Sequence, residues 1–233
     1  MTPSHSGARP RLILVGNAPI RWNLGAFVDS CDLIIRCNDA KSLGGNAGNR
    51  THVLCLDSTG TVETNRFCRE TRLQSRSRFP EWKEVWFSKP SSDVSAAILQ
   101  NNGLEHLPAY FVSEAMRQQM EIRLTQVARR PFSIPSTGFC AFWYVLHEER
   151  FRDYEKVVTG FSFEVWDGHP QDAERKIMLD VCDTHPDFTF LPVARHWKLE
   201  RAVRNGFRWI RKRLRRGIKA LSDRGIVLYP LKE

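Results

Sequence analysis

The stretch "LILVGNAPIRWNLGAFVDSCDLIIRCNDAKSLGGNAGNRTHVLCLDS", residues 12–58, decides the fold. It holds the apolar runs "RLILVG" (11–16, with Arg11 just ahead), "CDLIIRC" (31–37) and "THVLCL" (51–56). Short unbroken apolar runs of this kind belong to strands buried on both faces. "EVWFS" (84–88), "HLPAYFV" (106–112) and "EKVVTGF" (155–161) continue the series. Helical patterns lie between them. "SDVSAAILQNNG" (92–103) opens on a Ser/Asp cap and stops at Gly103. "SEAMRQQMEIRLTQVARR" (113–130) sets Met116, Met120, Leu124 and Val127 on one face. "TGFCAFWYVLHEE" (137–149) is largely apolar, and "HPQDAERKIMLDVCD" (169–183) has Pro170 near its first turn with acids close behind. Strands alternating with helices predict an α/β, three-layer, Rossmann-like and mainly parallel sheet.

The composition fits a globular chain of 233 residues, 42% hydrophobic and 11% aromatic, long enough to bury a sizeable core. No run approaches the roughly 18 apolar residues of a membrane span. "MTPSHSGARPR" has no apolar segment, so no secretory signal is expected there. The charge is uneven. Of 35 Lys and Arg, 13 follow residue 194, against 3 of 26 Asp and Glu. The body is therefore near neutral, which argues against a specific nucleic-acid groove across it. Six cysteines without C-x-x-C spacing, among them Cys37 and Cys55 in strands, point to buried thiols and a reduced, cytoplasmic compartment.

Two of the first strands end at an asparagine, Asn17 after Gly16 and Asn38 after "RC". In doubly wound folds ligands lie beyond the carboxyl ends of the strands. A neutral amide with two donors and one acceptor suits a ribose or a pyrimidine edge; the plainer alternative is that each asparagine caps a turn. "NAPIRW" is not a G-x-G-x-x-G loop, no Walker A run is present, and no Asp-x-Asp triplet offers a metal-held diphosphate site. "IPSTGFCAFW" (134–143) places Ser136, Thr137 and Gly138 at a helix start, a natural phosphate seat. His169 stands just before a helix with Glu174 five residues on, a candidate general base beside a carboxylate. An isolated histidine in that position also serves as a cap or packing group.

Taken in order, "VGN" (15–17), "RCNDA" (36–40), "GNRT" (48–51), "PSTG" (135–138), "GF" (160–161) and "HPQDAE" (169–174) resemble the motifs of the family 29 sialyltransferases over about residues 11–191. The bacterial family 42 sialyltransferases share part of the same pattern. The resemblance implies a metal-independent glycosyltransferase of bacterial type. Its donor would be a CMP-activated acid sugar and its acceptor a glycan or glycolipid hydroxyl. It assigns CMP binding to Gly16, Asn17, Asn38, Ser136, Thr137 and Gly138, and catalysis to His169 as base with Glu174. The family's disulfide positions fall near Leu12 and Asp153 here, so that bridge is absent from the sequence. The alternative reading keeps the fold without turnover, as a CMP- or nucleotide-binding or accessory relative.

Three segments follow: a lead-in (1–10), the nucleotide-sugar-binding domain (11–194) and a basic tail (195–233). Within the tail, Leu199, Val203, Phe207, Ile210, Leu214, Ile218 and Leu221 recur at helical spacing among Arg and Lys. Residues 195–221 thus form an expected amphipathic helix, suited to packing on the body or to an anionic membrane surface at the inner face of the cell membrane.

Overall fold

The structure is a computed structural model that describes residues 9–69, 73, 81–129, 131–132, 134–163 and 168–193. Seven strands form one sheet: β1 (Arg11–Val15), β2 (Leu33–Cys37), β3 (Val53–Leu56), β4 (Glu84–Phe87), β5 (Ala109–Phe111), β6 (Glu155–Thr159) and β7 (Phe188–Phe190). Their order is β5-β4-β3-β2-β1-β6-β7, and each neighbouring pair is parallel. The sheet is therefore wholly parallel, which makes the expectation of a Rossmann-like α/β fold definite to that level.

The helices are α1 (Gly25–Asp29), α2 (Arg66–Arg69), α3 (Asp93–Asn101), α4 (Glu114–Val127), α5 (Thr137–His147) and α6 (Gln171–Thr184). Alternation along the strands sorts them into two layers. Leu12, Leu14, Ile35, Cys37, Val53 and Cys55 pack with Met120 and Leu124 of α4, Phe139 and Phe142 of α5, and Ile177 and Met178 of α6. On the opposite face Ile13, Val15 and Ile34 meet Val28 of α1. There too, Leu54, Leu56, Val85 and Phe87 meet Phe67, Val94 and Ile98 of α2 and α3. A strand whose successive side chains enter two different cores is apolar along most of its length, which is why β1, β3 and β4 read as apolar runs after their opening residues; β2 departs from this at the buried Arg36.

Local signals place the helix starts. Ser92 and Ser95 form a reciprocal capping box on α3, and the Ser113 hydroxyl accepts the Met116 N–H at the start of α4. Ser136 does the same for Phe139 on α5. The described residues contain no helix long and apolar enough to cross a membrane. The tail (194–233) and the lead-in up to residue 8 lie outside the described residues, and with them the expected basic amphipathic helix.

Candidate functional site

β1 runs through α1 to β2 on one side, whereas β6, reached through α5, pairs with β1 on the other. The strand order therefore reverses between β1 and β6, where doubly wound folds open a crevice. A cavity of about 500 Å³ lies there. All eight residues singled out from the sequence line it: Gly16, Asn17, Asn38, Ser136, Thr137, Gly138, His169 and Glu174. So do Lys41, Asp57, Arg66, Phe161 and Phe163.

The floor is made by two glycines. Gly16 donates its N–H to Thr159 O at 2.8 Å, and Ala18 donates to Gly160 O at 2.9 Å. A Cβ on Gly16 would sit 2.3 Å from Gly160 O, so this backbone approach admits only glycine.

The two asparagines hold strand ends together. Asn17 Nδ2 donates to Cys37 O at 3.1 Å, and its Oδ1 accepts the Lys41 N–H at 2.9 Å. It ties the end of β1 to the turn after β2. Asn38 sits at φ 52°, a left-handed conformation that asparagine tolerates, and its Oδ1 accepts the Asp57 N–H at 2.9 Å. It ties the end of β2 to the end of β3. The turn-capping alternative thus has direct hydrogen bonds behind it at both positions.

The H-x4-E pair staples the "IPSTG" loop to the start of α6. His169 Nδ1 lies 2.8 Å from Ile134 O, and a carbonyl only accepts, so Nδ1 carries the proton. Glu174 is 3% exposed. Its Oε1 accepts the Ser136 N–H and its Oε2 the Ser136 hydroxyl, both at 2.7 Å. Burial raises its carboxyl above the usual range, opposed by the Ser136 hydrogen bonds and the nearby His169.

The other motif residues also do scaffold work. Arg36 is fully buried and holds the 47–50 loop. Its Nη2 donates to Ala47 O at 2.7 Å and Gly48 O at 3.1 Å, and its Nε to Arg50 O at 3.1 Å. Burial pulls its guanidinium down to about 10. Arg50 pairs with Glu81 at 2.7 Å, and Asp29 accepts the N–H groups of Asn49 and Arg50. Below the cavity, Cys37, Cys55 and Cys140 are buried free thiols. Desolvation raises all three, Cys37 to about 12, so they are inert as thiolates.

Among the described residues no group of three or more His, Cys, Asp or Glu side chains is placed to share a metal ion. The site is a cavity at the switch point of a parallel α/β sheet. Lys41, Asp57 and Arg66 were not read from the sequence. Lys41 lies three residues beyond Asn38, the one hint available; Arg66 sits on a four-residue helix with no period to detect.

No family model matches the chain. It is 23% identical over 186 residues to the urease operon 23 kDa accessory protein of Rhizobium meliloti (strain 1021), a match covering 71% of this chain and 85% of that protein. This finding overturns the resemblance to the sialyltransferases. It overturns with it the expected glycosyltransferase activity and the CMP-sugar donor and glycan acceptor expected as partners. In this structure the motif residues Asn17, Arg36, Asn38, Arg50, Ser136 and Glu174 each fasten one part of the fold to another, so their order is accounted for without sialyltransferase chemistry.

Proposed function

We propose that this chain is an accessory protein that binds a nucleotide in the switch-point cavity. The cavity is the observation that supports this reading most. Its roughly 500 Å³ falls within the size of small-molecule sites. Its wall combines what a nucleotide needs: phenylalanine rings (Phe161, Phe163), a hydroxyl and first-turn N–H groups (Thr137, Gly138), and two cations (Lys41, Arg66). Gly16, Asn17 and Asn38 give this wall its shape. His169 and Glu174 fix the loop that carries Ser136 and Thr137. The accessory role draws on the name of the Rhizobium meliloti relative.

Calorimetric titration of the full chain with CMP, UMP, AMP and GMP, with and without EDTA, tests the reading. Saturable one-to-one binding of at least one nucleotide, unaffected by EDTA, is expected. No binding of any of the four would refute it.

The same reading puts the protein in the cytoplasm, in keeping with six free thiols, and at the inner membrane face through residues 195–221. Co-sedimentation with anionic vesicles, lost on truncation after residue 194, is the expected result; an intact chain that ignores such vesicles at low salt would remove the membrane part.

A further inference from the structure

We infer that Lys41 and Arg66, at the β2–β3 corner of the cavity, hold the anionic group of the ligand, and that the amino end of α5 does not. This rests on the nucleotide reading and specifies it.

The amino end of α5 is already served by a carboxylate. Glu174 takes both the Ser136 N–H and the Ser136 hydroxyl, and that hydroxyl in turn accepts the Phe139 N–H at 3.2 Å. What remains of the first turn is the N–H of Thr137 and of Gly138. Phe161 lies against Gly138: a Cβ there would be 2.6 Å from its Cε1. A phosphate placed here would meet a buried carboxylate and an aromatic edge together.

Lys41 and Arg66, which also line the cavity, have the reverse character. Lys41 makes no ion pair among the described residues, and its backbone is fixed because its N–H donates to Asn17 Oδ1. Arg66 contacts Asp39 Oδ2 through Nη1 at 3.2 Å and lies 4.5 Å over the Phe67 ring. That pairing engages one terminal nitrogen of the guanidinium, which carries further N–H donors.

The other titratable side chains lining the cavity, apart from the inert Cys37 thiol, are Asp57, His169 and Glu174. Asp57 is engaged on both oxygens, by the Thr59 N–H and the Thr59 hydroxyl at 3.0 Å each. An anion at the Lys41–Arg66 corner therefore meets two cations and two carboxylates, Asp57 already hydrogen-bonded on both oxygens and Asp39 already paired with Arg66, which leaves Lys41 as the cation without an ion pair among the described residues. The group that fits is a phosphomonoester, which can take the Arg66 fork on two oxygens with the Lys41 ammonium on a third.

The test compares a nucleotide bound by the wild-type chain with its nucleoside, which lacks only the phosphate. Lys41→Gln and Arg66→Gln should each weaken the nucleotide about ten- to hundredfold, the range for a lost hydrogen bond to a charged group. They should leave nucleoside affinity unchanged and flatten the salt dependence. Thermal unfolding checks that each variant folds; Lys41 is exposed, so its substitution leaves the core untouched. Unchanged nucleotide affinity in both cation variants would overturn the assignment. A wild-type chain that binds no nucleotide would overturn the functional reading itself, before any variant is made.

Discussion

Asn38 offers the sharpest check on the scaffold, because two separate effects meet in one residue. It holds φ at 52° and its Oδ1 accepts the Asp57 N–H at 2.9 Å. In Asn38→Ala the hydrogen bond is lost, about 0.5–1.5 kcal/mol. A Cβ residue without a local side-chain bond must also hold the left-handed conformation, about 1–2 kcal/mol. Together these give a loss of about 1.5–3.5 kcal/mol. In Asn38→Gly the hydrogen bond is lost as well, but the conformation is free of strain and only the glycine entropy is added, about 0.5–1 kcal/mol. Glycine should therefore be the more stable of the two by about half to one kcal/mol, the opposite of the usual order in regular structure. Urea unfolding of the wild type and both variants, with the slope held common, measures the difference. If alanine equals or exceeds glycine, residue 38 does not hold a left-handed turn and the account of this strand end is wrong.

Other outcomes follow from the same geometry. Glu174→Ala should destabilise the fold by about 1–3 kcal/mol through the stranded Ser136 donors, measured by urea unfolding; a neutral result would mean the loop is not clamped by α6. Gly16→Ala, with its Cβ 2.3 Å from Gly160 O, should cost at least the 1–3 kcal/mol typical of overpacking, and a variant as stable as wild type would contradict the close strand-end contact. His52 is 1% exposed and accepts the Ile34 N–H on Nδ1 at 3.1 Å, so Nε2 carries its proton toward Glu81. Desolvation lowers its folded pKa below the usual 6.5, so the unfolded chain binds the extra proton first. The His52 contribution should thus be present above about pH 6.5 and be lost as the pH falls below it. His52→Gln should reduce the pH slope of stability in that window, and an unaltered slope would place its origin elsewhere.

Much of the fold was legible because burial on both faces writes itself into a strand. Leu12 and Leu14 enter one core while Ile13 and Val15 enter the other, so no polar residue interrupts the run. β7 carried no such mark: Phe188–Phe190 is three residues long at a sheet edge, and its middle residue, Thr189, is exposed. α1 and α2, at five and four residues, are too short to display a helical period. The cavity's position was readable from strand ends and the "PSTG" cap, since those depend on local chemistry. Its function was not. The scaffold bonds of Asn17 and Glu174 were hidden as well, because their partners, Cys37 O and Ser136, are distant in sequence. Lys41 and Arg66 gain their meaning only when β2 and β3 lie side by side.

The central claim is that a nucleotide occupies the cavity between the ends of β1 and β6. The most direct measurement is a titration of the isotopically labelled full chain with CMP, UMP, AMP or GMP, following backbone amide resonances. The account predicts saturable shifts concentrated at Gly16–Ala18, Asn38–Lys41, Ser136–Gly138 and Gly160–Phe163, the segments that line the cavity. Shifts absent from these segments at saturating nucleotide, or centred on another face of the sheet, would contradict it.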